Sequence, residues 1–226
     1  MNTPWWDEND LNDDEFAGNR RQMVAHQIER RGIRDQRVLE AMRHVPRHLF
    51  VPERFQALAY DDSPVPIGFD QTISQPYIVA FMINALQLRG VEKVLEIGAG
   101  SGYQAALLSF LADEVYSIEI ISELSARAAQ LIAELNYANV HLRHGDGYVG
   151  WPEVSPFDRI ILAAAPNHVP EMLLEQLAPG GRMILPLGEK DQRLVIITKD
   201  EEGKINRIES AGVKFVPMTG LAGSTN

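Results

Sequence analysis

Val94-Leu95-Glu96-Ile97-Gly98-Ala99-Gly100-Ser101-Gly102-Tyr103 decides the fold of this chain. A short apolar run enters three alternating glycines and leaves as a helical pattern. That order reads as a buried strand, a tight turn and a helix start. Downstream the same alternation continues. Apolar runs at Lys93–Ile97, Glu114–Ile118, Val140–Arg143, Arg159–Ala163, Arg182–Pro186 and Leu194–Thr198 are interleaved with helical segments at 102–112, 122–136 and 168–177. Alternating strand and helix means βαβ units and a mostly parallel, doubly wound α/β sheet covered on both faces. The segments 192–198 and 205–216 are separated by Asp200-Glu201-Glu202-Gly203-Lys204, whose turn chemistry predicts an antiparallel C-terminal hairpin.

Upstream the pattern is helical. Met23, Val24, Gln27, Ile28 and Arg31 share one face of a helix over 19–31, which Gly32 stops. Asp35 is an N-cap candidate for a second helix carrying Val38, Leu39 and Met42. The prolines in Val45-Pro46-Arg47-His48-Leu49-Phe50-Val51-Pro52 exclude a long helix. A polar loop over 60–74 leads to a helix over 75–88. The expected layout is therefore one domain over 19–226, with a helical substrate-side extension (19–90) and an α/β core (91–226). Residues 1–18, acidic and poor in aliphatics, read as a disordered tail, with Trp5 and Trp6 the only sign of docking.

The glycine turn lies beyond the carboxyl end of a strand, where open parallel sheets bind ligands. A dinucleotide fingerprint needs glycine at 103, where Tyr103 stands. Glu96 before the turn would repel a pyrophosphate but could accept from an ammonium group. Glu119 follows the next strand, about twenty residues on, where this fold holds ribose hydroxyls. Asp146, in His144-Gly145-Asp146-Gly147, ends the strand after that. Either acid alone could be a solvated cap, whereas acids at successive strand ends suit a nucleoside. The pattern Glu-x-Gly-x-Gly-x-Gly resembles the first motif of Rossmann-like S-adenosylmethionine-dependent methyltransferases. That resemblance implies the methyltransferase version of the fold, with Asp146 beside the adenine.

A more specific resemblance spans most of the chain from about residue 20. Pro66-Ile67-Gly68-Phe69-Asp70-Gln71-Thr72-Ile73-Ser74-Gln75-Pro76-Tyr77 is similar to the signature of protein-L-isoaspartate O-methyltransferases of bacterial type. So are Val45-Pro46-Arg47 with Phe50-Val51-Pro52, Gly145-Asp146-Gly147, Ala163-Ala164-Ala165-Pro166, Leu185-Pro186-Leu187-Gly188 and Phe215-Val216-Pro217-Met218-Thr219. Asp70 departs from the pattern, since members commonly carry glycine there. The resemblance implies Ser74 as the active-site residue. It also implies cofactor contacts from Thr72, Ile73 and Gln75, from Glu96, Gly98, Gly100, Ser101 and Gly102, from Glu119 and Ile120, and from Asp146, Gly147 and Thr219. The cofactor would be S-adenosyl-L-methionine, leaving S-adenosyl-L-homocysteine. The substrates would be isoaspartyl-containing proteins and peptides, repaired through a succinimide. Serine is also a preferred N-cap and Pro76 suits a first helical turn, so by itself Ser74 reads first as a cap. A helix N-terminus with a hydroxyl is equally a site for an anion.

Composition narrows the classes. A net charge of -10 argues against nucleic acid as a partner. With no cysteine, disulfides, thiolate metal sites and cysteine nucleophiles are excluded. The histidines form no metal pattern, so no metal is expected. The N-terminus has no signal-like apolar region and no run is long enough to span a bilayer, so a cytoplasmic chain with no membrane partner is expected, working as a monomer. Three alternatives stay open: a small-molecule methyltransferase, a non-catalytic cofactor-binding module that recognises damaged proteins, and a dinucleotide oxidoreductase.

Overall fold

The computed structural model describes residues 15–223, so the expectation for residues 1–14, with Trp5 and Trp6, lies outside them. The chain forms two compact units that divide at Phe81/Met82, inside a helix and not near residue 90.

In the first unit, α1 spans Ala17–Met23 and continues through a wide turn at Val24–Ile28 and a tight one at Glu29–Arg31. Gly32 ends it with φ 100°. Met23, Val24 and Ile28 are buried, as their spacing predicts. The helix starts two residues earlier than expected: Ala17 is buried, and the Phe16 ring stacks on His48 with centroids 4.5 Å apart. The expected tail through residue 18 therefore ends before Phe16. One aromatic outweighs an acidic composition once a partner ring exists, and that partner lies far along the sequence. Asp35 caps α2 (Gln36–His44), accepting from the Arg37 amide at 2.9 Å, and Val38, Leu39 and Met42 point inward. The stretch 60–74 holds a hairpin where a loop was expected: β1 (Val65–Gly68) pairs antiparallel with β2 (Gln71–Ile73). Strands this short, interrupted by Pro66 and Gly68, show no alternation in sequence. The turn places Phe69 and Asp70 at φ 53° and 55°. Then α3 runs over Pro76–Leu86.

The second unit is built on a seven-stranded sheet of order β5-β4-β3-β6-β7-β8-β9. Its elements are β3 (Lys93–Ile97), α4 (Tyr103–Ser109), β4 (Glu114–Glu119), α5 (Ser122–Glu134), β5 (Val140–His144), β6 (Phe157–Leu162), α6 (Glu171–Glu175), β7 (Leu177–Leu187), β8 (Arg193–Lys199) and β9 (Ile205–Gly212). β3 to β7 are parallel, while β8 and β9 are each antiparallel to the preceding strand. The expected C-terminal hairpin is therefore present. Asp200 closes its turn by accepting from the Glu202 and Lys204 amides at 3.1 and 2.8 Å. Leu95, Ile97, Ile118, Ile160, Leu162, Met183, Leu185, Val195 and Ile197 form the continuous core. The helix expected over 168–177 shrinks to a single short one after Pro170, because β7 begins already at Leu177. The order of strands reverses at β3, which has β4 on one side and β6 on the other. The crevice at its carboxyl end is where such sheets take ligands. No helix among the described residues is long and apolar enough to cross a membrane.

Candidate active site

β3 ends at Ile97 and the chain must turn at once into α4. Gly98, Gly100 and Gly102 make that turn at φ 89°, 54° and 87°, a region that side-chain-bearing residues rarely enter. The amides of Gly98 and Ala99 donate to the Ile118 carbonyl at 2.8 and 3.1 Å, tying the loop to the end of β4. One residue on, Glu119 takes the Gly100 amide on Oε2 at 2.7 Å and the Ile121 amide on Oε1 at 2.9 Å. An ionised carboxylate offers about four acceptor positions, so both oxygens retain capacity for hydroxyl donors. Ser101 accepts from the Tyr103 amide at 3.4 Å, at the start of α4.

Glu96 does not face the ligand side. It is completely buried; Gln104 Nε2 donates to Oε1 at 2.9 Å and the Ser117 hydroxyl donates to Oε2. Burial pushes its carboxyl up to about 8, against the pull of the Ser117 and Gln104 hydrogen bonds and with a further push from the Glu119 charge. Enclosed on every side, this carboxyl has no surface open to a ligand's ammonium group. The expectation that it does so is corrected: Glu96 is a strut under the glycine loop, bridging β3, β4 and α4.

Asp146 lies past β5. Its Oδ1 accepts the Tyr148 amide at 2.9 Å and its Oδ2 the Leu221 amide at 2.8 Å. Gly147 is buried, and a Cβ there would collide with the Ile97 side chain. A Cβ at Gly220, φ 79°, would collide with Asp146 itself. The C-terminal segment thus crosses the strand ends. It is anchored by the Met218 amide on the Ala165 carbonyl at 2.8 Å and the Ala165 amide on the Val216 carbonyl at 2.9 Å, and it leaves Thr219 exposed. Ile120 is part-exposed beside it, and His144 Nε2 meets its carbonyl at 3.1 Å. The glycine loop, Glu119, Ile120, Asp146, Gly147 and the Thr219 segment are therefore brought to one rim, at the carboxyl ends of β3, β4 and β5. Among the described residues no group of His, Asp and Glu could hold a metal ion.

The serine signature belongs to the first unit. The Gln75 carbonyl accepts the Ile78 and Val79 amides at 3.0 and 3.2 Å, so Gln75 holds the N-cap position of α3 and Pro76 follows it in the first turn. Ser74 precedes the cap. Among the described residues its hydroxyl has no hydrogen-bond partner, while its carbonyl accepts from Arg47 Nη2 at 2.8 Å. The cap role that serine chemistry suggests is thus not the one it fills. Gln75 Nε2 is held by Asp62, at 2.8 Å to Oδ1 and 3.0 Å to the carbonyl. Asp62 in turn pairs with Arg31 at 3.1 Å, and the Arg31 guanidinium sits 3.6 Å over the Tyr77 ring. Thr72 is exposed and Ile73 is buried. Sequence reasoning missed Gln104, Ser117, Asp62, Leu221 and the task of Arg47. Each acts through a contact distant in sequence, and only Arg47 lay in a motif that could have flagged it.

The chain matches the family model described as protein-L-isoaspartate(D-aspartate) O-methyltransferase over residues 19–223. It is 55% identical over 201 residues to a protein-L-isoaspartate O-methyltransferase 2 of Anaeromyxobacter sp. (strain Fw109-5), covering 88% of this chain and 82% of that one. To a protein-L-isoaspartate O-methyltransferase 1 of Rhodopseudomonas palustris (strain HaA2) it is 54% identical over 210 residues, covering 92% and 86%. Among solved structures it is similar to a Plasmodium falciparum chain, described as a candidate enzyme of this kind in complex with S-adenosyl-L-homocysteine. That match has TM-score 0.77 and 27% identity, covering 89% of this chain and 98% of that one. A structure titled protein-L-isoaspartate O-methyltransferase gives TM-score 0.80 at 28% identity, with this chain spanning 66% of its length. With the glycine turn, the acids at successive strand ends and the serine loop all inside the matched span, the chain belongs to the protein-L-isoaspartate(D-aspartate) O-methyltransferase family.

Proposed function

We propose that this chain transfers a methyl group from S-adenosylmethionine to the free carboxylate of L-isoaspartyl residues in damaged proteins and peptides, starting their repair through a succinimide. The observation that carries the proposal is the match over residues 19–223, which includes the whole Gln71–Tyr77 signature as well as the cofactor motifs. The residues of the rim fit the cofactor by their chemistry. Glu119 and Asp146 each keep acceptor capacity beyond their backbone bonds, and ribose hydroxyls and an adenine amino group are donors. The glycine turn would border the methionyl part, Glu119 the ribose, and Asp146 with Gly147 and Ile120 the adenine. Thr219 would complete the contacts on this rim, and the resemblance adds Thr72, Ile73 and Gln75 of the serine loop as further cofactor contacts.

S-adenosylmethionine supplies a methyl group on a sulfonium, a centre that already has its leaving group. An isoaspartyl carboxylate is ionised at neutral pH, having a pKa of about 4, so the chain needs neither a general base nor a metal. Its task is alignment, which in favourable cases contributes about 7–11 kcal/mol. The Ser74 hydroxyl would donate to the carboxylate and fix which oxygen faces the methyl group. A hydrogen bond to a charged acceptor contributes about 1.5–3 kcal/mol, so its removal should impair turnover without abolishing it. We further read the chain as a cytoplasmic monomer with neither nucleic acid nor membrane as partner; the net charge of -10 supports the part that concerns nucleic acid.

The test is methyl transfer from labelled S-adenosylmethionine to an isoaspartyl peptide and to its aspartyl twin, with small carboxylates in parallel. Labelling of the isoaspartyl peptide alone is expected; cofactor binding without transfer would leave a binding module. Ser74→Ala and Ser74→Gly should keep their melting temperature, because Ser74 is not the cap, and lose turnover by roughly ten- to a hundredfold. Full turnover in both would remove Ser74 from the reaction.

A further inference from the structure

Arg47 is completely buried. It sits at the head of a short turn, Arg47–Phe50, directly after Pro46. Its Nε donates to the Ala59 carbonyl at 2.6 Å and its Nη2 to the Ser74 carbonyl at 2.8 Å. One planar fork thus spans two main-chain carbonyls, from the segment before the β1–β2 hairpin and from the loop after it. The neighbouring Tyr60 is itself fastened: its hydroxyl meets His48 Nδ1 at 2.8 Å and receives Arg20 Nη1 at 3.2 Å. The Arg47 fork is therefore anchored on a stiff wall and reaches from it to the serine loop.

Burying a guanidinium is costly unless its donors are used, and here Nε and Nη2 each hold a main-chain carbonyl. One of the groups it bonds is the carbonyl of the peptide plane that follows Ser74. Fixing that plane fixes ψ of Ser74, and with it the direction of the side chain. A backbone rotation of about 20° would swing the hydroxyl by on the order of 1 Å, and a misplacement of that size can lower a rate by up to about a hundredfold.

We propose that Arg47 is a positioning residue for methyl transfer: from a fully buried site it clamps the Ser74 carbonyl against the Ala59 carbonyl and so aims the Ser74 hydroxyl. This rests on the reading of Ser74 as the group that orients the substrate carboxylate. Lysine keeps the charge but carries its donors on one nitrogen, so it cannot reproduce the separated, coplanar Nε and Nη2 donors that hold the two carbonyls in fixed geometry.

The experiment is a double-mutant cycle. Arg47→Lys, with Arg47→Gln as a second variant, is made in the natural chain and in Ser74→Ala. Melting temperature, cofactor affinity, and kcat and KM for an isoaspartyl peptide are measured for each. In the natural chain kcat should fall about tenfold, with S-adenosylhomocysteine affinity changed less than about twofold. In the Ser74→Ala background the same substitution should change kcat less than about twofold, because no hydroxyl is left to aim. An equal loss in both backgrounds, an unchanged kcat, or the failure of both variants to fold would each overturn the positioning role. Full activity of Ser74→Ala by itself would instead remove the Ser74 reading, which separates the two failures.

Discussion

Replacing Glu96 by glutamine tests the most unusual group in the chain. Glu96 is fully buried and its carboxyl is raised from 4.5 to about 8, chiefly by burial. In the folded chain it is neutral below that value, while in the unfolded chain it ionises from 4.5 upward. Its raised pKa therefore favours folding fully at low pH, and that stability is lost as pH rises from 4.5 through about 8. Each pH step inside the window removes about 1.4 kcal/mol. Across the whole window the loss is on the order of 4–5 kcal/mol, a large share of a typical domain's stability. Glutamine is nearly isosteric and cannot ionise. Its oxygen can accept from Gln104 as Oε1 does, and its amide can donate to the Ser117 hydroxyl. Glu96→Gln should therefore be close to the natural chain in stability at pH 5 and more stable by several kcal/mol at pH 8.5. Urea denaturation at pH steps from 5 to 9 measures the difference. Cofactor affinity at pH 7 should change less than about threefold, because the group is a strut and does not touch the ligand. A stability difference that stays flat over that range would refute the neutral buried carboxyl. A loss of affinity beyond tenfold would restore Glu96 as an acceptor of the methionyl ammonium.

Glu119→Ala leaves the Gly100 and Ile121 amides without their acceptor. It should lose about 3 kcal/mol of stability, read as a melting temperature lower by roughly 6–12 °C, and bind S-adenosylhomocysteine more weakly by calorimetry; undiminished affinity in the folded variant would reject the ribose assignment. A chain beginning at Asn19 loses the Phe16–His48 stack and the buried Ala17 and should melt lower than one beginning at Glu15, by a margin of about 1–3 kcal/mol. Equal melting of the two would show the stack to be worth little. Asp70→Gly places glycine at φ 55° in the two-residue turn and should stabilise by up to about 1 kcal/mol, whereas a lower melting temperature would mean that the Asp70 side chain holds the hairpin.

Much of the fold was legible because its signals are local. Alternating apolar runs and helical patterns located the strands of the second unit, and the glycines at 98, 100 and 102 marked the turn, since positive φ is a property of single residues. Asp35 as a cap and the Asp200–Lys204 turn were readable for the same reason. Glu119 and Asp146 followed from their places after successive strands. The β1–β2 hairpin was not legible: its strands are too short to show a period, and pairing of Val65 with Ile73 is a contact and not a pattern. Glu96 and Ser74 show the deeper limit. In sequence, Glu96 is an acid beside a ligand loop and Ser74 a serine before a proline. Whether a carboxyl ionises depends on what surrounds it, and Gln104 and Ser117 reach Glu96 from another helix and another strand. Whether a serine caps depends on which carbonyl starts the helix, and that carbonyl is Gln75's. Residue types and their order determined the fold class, the cofactor motifs and the family resemblance. The tertiary structure alone decided which side chains are enclosed and which stay open to a ligand, because solvation and hydrogen-bond partners come from residues brought together only by folding.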